Sequence, residues 1–237
     1  MKATVCLPTY NERENLERVV RRLGEHGVSV LVIDDNSPDG TGEIADRLAA
    51  ELEYVSVLHR ERKEGLGPAY LAGFRRALAD GADVILEMDC DFSHKPDDVP
   101  RLIEATGEAD FVLGSRYVPG GGTENWGLVR RFISRAGSAY AQVLLGLRVR
   151  DLTGGFKAYR RAVLEALPLD EIDSKGYAFQ IETTYRAVRK GFTVREVPIV
   201  FVDRVEGGSK MSRSIVLEAI WKVPALRLAA LRGKLDG

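Results

Sequence analysis

The first third of the chain alternates too regularly to fold in many ways. Short apolar runs at Thr4 to Leu7, Val28 to Ile33, Val55 to Leu58 and Val84 to Leu86 are each closed by turn-forming residues. Between them lie stretches with helical spacing: Leu16, Val19, Val20 and Leu23, then Ile44, Leu48 and Leu52, then Leu71, Phe74 and Leu78. A strand that is apolar along its whole length, and not only at every second residue, suits a central parallel strand covered on both faces. Strand–helix units repeated from the first residues predict an α/β fold, a Rossmann-like, mainly parallel sheet with helices on both faces. The chain of 237 residues is long enough for one such domain with a small appendage. The division is expected near residue 213, with a domain over 1–213 and an amphipathic helical tail over 214–237.

The later chain is less regular. Asn11 followed by Glu14 has the form of a capping box and predicts the start of the first helix there. A fifth strand is expected over Asp110 to Leu113, and a flexible loop or lid at Gly120-Gly121-Gly122. Val129 to Leu147 reads as a helix with Phe132, Ile133, Ala136, Tyr140, Val143, Leu144 and Leu147 on one face. Its first turns carry Arg130, Arg131 and Arg135, cations that oppose the helix dipole and so hint at a demand for an anion. Asp151 to Lys157 reads as a loop, Gly176 to Lys190 as a helix, and Val194 to Val202 as an edge strand broken by Pro198.

Composition excludes several functions. The formal net charge of −1 leaves no bulk attraction for nucleic acid, so no nucleic-acid partner is expected. The two cysteines, Cys6 and Cys90, sit in apolar runs and read as buried free thiols in a reducing, cytoplasmic compartment. Met1 leads straight into a strand, which leaves no room for a signal peptide, and no apolar run is long enough to cross a membrane.

Chemistry collects where the strands end, since ligands of open α/β sheets sit outside the carboxyl ends of the strands. After the fourth strand come Asp89 and Asp91, two carboxylates one residue apart and able to share a phosphate-bound divalent cation. As a bland alternative they are turn-forming aspartates. After the first strand Pro8-Thr9-Tyr10-Asn11-Glu12 offers a ring and a carboxylate for a base and ribose, and after the second Asp35 offers a further acceptor. After the fifth stands Arg116, a planar cation suited to phosphate. The glycine fingerprints of dinucleotide and P-loop sites are missing from these positions.

Pro8-Thr9-Tyr10-Asn11-Glu12, Asp34-Asp35, Asp89-Cys90-Asp91 and Gly114-Ser115-Arg116-Tyr117, taken in this order, resemble the core of glycosyltransferase family 2, on a GT-A fold. Arg130 to Arg135, Gly155 to Arg161, Gly176 to Glu182 and Phe201 to Arg204 bring the resemblance closest to that family's dolichol-phosphate (polyprenol-phosphate) mannose synthases. It runs from about residue 3 to about residue 213 and implies transfer of mannose from GDP-mannose to a polyprenyl or dolichyl phosphate lipid, with inversion. By resemblance Pro8, Thr9, Tyr10, Glu12, Ile33, Asp35 and Cys90 line the donor, and Lys175, Arg204 and Lys210 close over its phosphates. Asp89 and Asp91 hold Mg2+ or Mn2+, with Ser93 standing where several relatives have Gln. Arg116, Arg130 and Arg131 receive the lipid phosphate, and Asp89, Asp91, Arg116 and Arg131 are expected to matter most for rate. His94 is a candidate base that reads better as structural. The tail is expected to lie on the cytosolic face of a membrane, with Leu217, Trp221, Leu228 and Leu231 in the lipid and Lys222, Arg227, Arg232 and Lys234 towards headgroups. Packing on its own domain and a membrane-anchoring subunit are the alternatives. A sister synthase using a UDP-sugar, an aspartyl phosphotransferase and a non-catalytic binding subunit are the rival functions.

Overall fold

A computed structural model describes residues 1–203, 213–233 and 235. Arg204, Lys210, Lys234 and the side chain of Leu217 therefore lie outside the described residues. The expected alternation is present: β1 (Ala3–Thr9), α1 (Leu16–Gly24), β2 (Ser29–Asp34), α2 (Thr41–Glu51), β3 (Val55–His59), α3 (Leu66–Ala79) and β4 (Val84–Glu87). α4 (Val99–Ala105), β5 (Phe111–Ser115), β6 (Gly122–Glu124) and α5 (Leu128–Leu145) follow. The rest is β7 (Lys157–Arg160), α6 (Arg161–Ala166), α7 (Gly176–Arg189), β8 (Val194–Pro198), β9 (Val200–Val202) and α8 (Arg213–Leu231). The main sheet has the order β3-β2-β1-β4-β7-β5-β8, parallel except for β7, and β8 is an edge strand as Pro198 requires.

The fully apolar strands are explained by two cores, one on each face. Cys6, Leu31, Ile33 and Ile85 point to one side with Phe74 and Tyr159, and Val5, Leu7, Val30, Val32 and Leu86 to the other with Leu16, Val20 and Leu48. The α3 layer lies close: a Cβ on Gly73 would come within 2.4 Å of Ile33 Cδ1 and push that side chain aside. Cys6 and Cys90 are buried and free, and burial pushes the Cys6 thiol up.

Four expectations change. Asn11 is no helix cap: it has a left-handed φ of 57°, and α1 starts only at Leu16 after a turn closed by Glu12 O. On α2 it is Ala45 and Leu48 that are buried, with Ile44 and Leu52 at the margin. Gly122 does not float in a lid but opens β6, paired with β9. The loop expected up to Lys157 ends one residue earlier, because Lys157 to Arg160 form β7 between β4 and β5.

On α5, Ser138, Ala141 and Leu145 are the buried residues, whereas Phe132 is 73% and Val143 82% exposed. Its small residues meet α8, which turns Val223, Leu226 and Ala230 into the core, and Tyr140 donates to Ile220 O at 2.9 Å. The tail thus packs on its own domain, while Trp221, Leu228 and Leu231 face outward. No described helix is long and apolar enough to cross a membrane.

Candidate active site

The parallel strands all end at one edge of the sheet, so Tyr10 and Glu12 after β1, Asp35 after β2, Asp89 and Asp91 after β4 and Arg116 after β5 are brought side by side. β7 runs the other way, and its first residue Lys157 is paired with Glu87 at the end of β4. Its preceding loop, Thr153-Gly154-Gly155, therefore enters at the same edge. Together these segments enclose a cavity of about 620 Å3, within the range of small-molecule sites. Its wall includes Pro8, Thr9, Tyr10, Glu12, Asp35, Asp89, Cys90, Asp91, Arg116, Arg130 and Lys175 from the expected set.

Three bends at this edge are left-handed. Asn11, Asn36 and Phe92 have φ of 57°, 56° and 59°, a left-handed region that suits Asn and penalises a bulky side chain. Phe92 follows Asp91 directly and lies under the Arg18 guanidinium at 4.9 Å. Such strain clusters where a side chain must be aimed at something.

At the β1–β2 end of the cavity, Lys63 Nζ stands 3.8 Å over the Tyr10 ring, a cation–π contact. Arg60 donates to Asp35 Oδ1 at 2.5 Å, and burial raises the Asp35 carboxyl against that pull. Asp34 works behind the wall, accepting from Thr9 Oγ1 and from Ser37 N and Oγ. Ile33 packs in the core under α3 and does not line the cavity.

The acidic pair is braced from two directions. His94 Nδ1 accepts the Asp89 backbone N–H at 3.2 Å, which places the ring proton on Nε2 and leaves the ring stacked on Phe156. That geometry makes His94 a brace for the turn. Ser93 donates both its N–H and its hydroxyl to Asp91 Oδ1, fixing the carboxylate. No group of three or more His, Cys, Asp or Glu able to hold a metal occurs among the described residues. Two hard carboxylates do fit Mg2+ or Mn2+ when substrate phosphate oxygens and waters complete the shell. Ser93 then serves by orienting Asp91.

Across the cavity the cations are held by carboxylates that sequence reasoning did not single out. Arg116 is 4% exposed and forks onto Asp151 through Nε and Nη2 at 2.7 and 2.6 Å, with Nη2 also reaching Thr153 Oγ1 at 2.9 Å. Burial works against its charge, and Asp151 outweighs burial and pushes the guanidinium's pKa up. Arg130 Nη1 donates to both oxygens of Asp203 at 2.6 Å and lies 4.3 Å from the Trp126 ring. Arg131, one helical step on, does not line the cavity and points to Thr123 O at 3.4 Å. Lys175 opens α7 with its N–H on Glu218 Oε1 of α8, so the tail helix contributes to the wall. Trp126, Thr153, Tyr177 and Phe201 were also missed. Tyr177 and Phe201 lie inside stretches that carry the family resemblance, whereas Trp126 and Thr153 had only their place beside the glycine and arginine motifs.

Residues 4–167 match the model of the family Glycosyl transferase family 2. The chain is 52% identical to an undecaprenyl-phosphate mannosyltransferase of Micrococcus luteus over 232 residues, covering 97% of this chain and 96% of the relative. It is 50% identical to a polyprenol monophosphomannose synthase of Mycolicibacterium smegmatis over 240 residues, covering 99% and 89%. Among solved structures it resembles glucosyl-3-phosphoglycerate synthase from Mycobacterium tuberculosis in complex with Mn2+, UDP-glucose and phosphoglyceric acid, with a TM-score of 0.69 at 23% identity. The match covers 95% of this chain and 79% of that one. At this identity the likeness shows the fold, which is the expected GT-A fold.

Proposed function

The chain belongs to glycosyltransferase family 2, and from that premise we propose that it moves mannose from GDP-mannose to a polyprenyl monophosphate, with inversion, to give polyprenyl-phosphate mannose. The names of the relatives supply the sugar and the lipid. The observation in this chain that carries the chemistry is one cavity with Asp89 and Asp91 on one wall and Arg116 and Arg130 on the other.

A phosphate monoester has a second pKa near 6, about that of free phosphate groups on proteins, so the acceptor arrives mostly as a dianion and requires no base. The problem is charge. Arg116 and Arg130 meet the anionic nucleophile with donors already oriented by Asp151 and Asp203, so little reorganisation remains at the moment of reaction. In Arg116, Nη1 is the part of the fork outside the pair with Asp151. Asp89 and Asp91 would hold Mg2+ or Mn2+, which supplies Lewis-acid stabilisation of the leaving diphosphate. Tyr10, Glu12, Asp35 and Lys63 form the nucleoside end, with Lys175 towards the phosphates.

The lipid acceptor must be met at a surface. Phe132 and Val143 on α5 and Trp221, Leu228 and Leu231 on α8 give adjoining helices an exposed apolar face, with Arg130 behind it. We read this face as the peripheral contact with the cytosolic side of a membrane.

Purified protein with a short polyprenyl phosphate and Mg2+ should convert labelled GDP-mannose to organic-extractable label. Asp91→Asn should cut that rate by roughly 10²–10³, the usual scale for one preorganised electrostatic group. Label from a UDP-sugar alone would keep the fold and replace the donor. Absence of label from every sugar nucleotide would leave a binding subunit.

A further inference from the structure

Gln180 carries a buried side-chain amide without a formed hydrogen bond. The residue is 2% exposed, and neither Nε2 nor Oε1 has a hydrogen-bond partner among the described residues. Its backbone is fully engaged: the carbonyl accepts from Lys157 Nζ at 2.8 Å and from Thr184 Oγ1 at 2.9 Å. The amide faces Glu87 as a hydrogen-bonding neighbour that favours that carboxylate's charged form, but with a geometry outside that of a formed hydrogen bond, and Glu87 Oε2 is likewise left without a partner. A buried amide left unsatisfied costs about 1–3 kcal/mol, so its persistence asks for a partner that the free protein lacks.

Its place says where that partner lies. Gln180 lines the cavity behind Gly155, where a Cβ would sit 3.3 Å from Gln180 Nε2 and 4.0 Å from His94 Cε1, so any side chain at that position would stand against the amide. His94 braces Asp89 on the metal side, and Thr153, two residues before Gly155, bonds Arg116 on the acceptor side. The amide is therefore set between the carboxylates that face the leaving diphosphate and the cation that faces the nucleophile. In a transfer reaction that space belongs to the sugar being moved. A sugar hydroxyl both donates and accepts, and an amide is among the few side chains that offer both roles at neutral charge.

We propose that Gln180 is a specificity-determining residue that hydrogen-bonds hydroxyls of the transferred sugar, reached past Gly155. The inference rests on the reading of this cavity as a sugar-nucleotide site. No bond to the sugar is made or broken by this residue. It positions the ring, and it converts an unsatisfied amide in the free protein into a paired one in the complex.

The test is Gln180→Met, which keeps length and removes both polar atoms. Titration calorimetry with Mg2+ compares GDP, which lacks the sugar, with GDP-mannose. The ratio of GDP-mannose to GDP affinity should fall at least about tenfold, the scale of one or two hydrogen bonds. GDP affinity should stay within about twofold, and the melting temperature of the free protein should not drop, because an apolar isostere relieves an unsatisfied group. Equal losses for both ligands, or an unchanged ratio, would overturn the proposal. So would a lowered melting temperature with the ratio intact, which would make Gln180 a strut for Glu87. If the Met variant does not fold, Gln180→Glu is put through the same pair of titrations and must also change the ratio. Should the wild type bind a UDP-sugar and ignore GDP-mannose, the donor assignment fails by itself, and UDP against UDP-sugar decides Gln180 in the same way.

Discussion

From β1 to β4 the chain builds its half of the cavity in sequence, each strand delivering its polar residues to the edge before a helix carries the chain back. From β5 onward neighbours in space are distant in sequence. Arg116 meets Asp151 across 35 residues and Arg130 meets Asp203 across 73, while on the first half Ser93 fixes Asp91 from two residues away. β7 reverses direction in the middle of the sheet, and α5 and α8 close the side with an apolar face outward. The wall proposed for the nucleotide is thus a property of the repeating unit, and the wall proposed for the acceptor a property of long-range ion pairs. Damage to one of those pairs should cost fold as well as function.

The sharpest contrast is between two carboxylates that each hold an arginine. Asp151 is fully buried and partners an Arg116 that is 4% exposed, whereas Asp35 partners an Arg60 that also reaches Glu64. Asp151→Ala leaves a buried guanidinium uncompensated and should destabilise the protein by about 3–5 kcal/mol. Asp35→Ala leaves Arg60 a second partner and should cost about 1–2 kcal/mol, nearer the loss of one charged hydrogen bond. Urea unfolding of both variants measures this. Equal costs would mean that the two halves are held alike.

A second buried charge lies at the seam between the halves. Burial pushes the Lys157 ammonium from its ordinary 10.5 down to about 8, against the pull of Glu87 and Asp151. The folded protein sheds this proton near pH 8 and the unfolded chain keeps it to about 10.5, so in that window the unfolded state binds more protons and stability rises with pH. Relative to Lys157→Met, the wild type should gain up to about 3 kcal/mol between those limits, since one pKa unit is worth 1.36 kcal/mol. A flat difference would show that Glu87 keeps the lysine charged in the fold.

On the wall proposed for the acceptor, Arg130→Ala should raise the acceptor KM by roughly 10- to 100-fold, the range of a charge-assisted contact, with a smaller change for Arg131→Ala. The order follows from Arg130 lining the cavity while Arg131 turns to Thr123 O. Steady-state kinetics with a short polyprenyl phosphate settles it. The reverse order would mean that α5 rearranges when the lipid enters.

The same division explains what could be read in advance. The strands of the first half, the helical face of α1 and the placing of Asp89 and Asp91 at the cavity all followed from period and strand ends, because local pattern decides those features. β7 did not, because Lys157-Ala158-Tyr159-Arg160 carries charge into the centre of a sheet, where Lys157 is satisfied by Gln180 O and Thr183 Oγ1 from a distant helix. Asp151 and Asp203 gave no local signal, since an ion pair is visible only once both partners are placed. On α5 the period marked the apolar stripe of Phe132, Tyr140 and Val143, but periodicity does not say whether core, lipid or partner will cover it.

That stripe supports the mildest of these predictions. Phe132 and Trp221 are 73% and 76% exposed, and neither is among the residues that line the cavity. Replacing each by Ser removes about 1.5–3 kcal/mol of the apolar transfer energy of a fully buried ring, and less for a ring only partly inserted in the headgroup region. Flotation with anionic vesicles should therefore show binding weakened by about three- to tenfold for either variant, and more for the pair. Turnover of a short, water-soluble polyprenyl phosphate should stay near wild type, because the ion pairs of the acceptor wall are untouched. A loss of that turnover would tie the outer face to the site itself, and unchanged flotation of the double variant would assign the stripe to a protein partner in place of lipid.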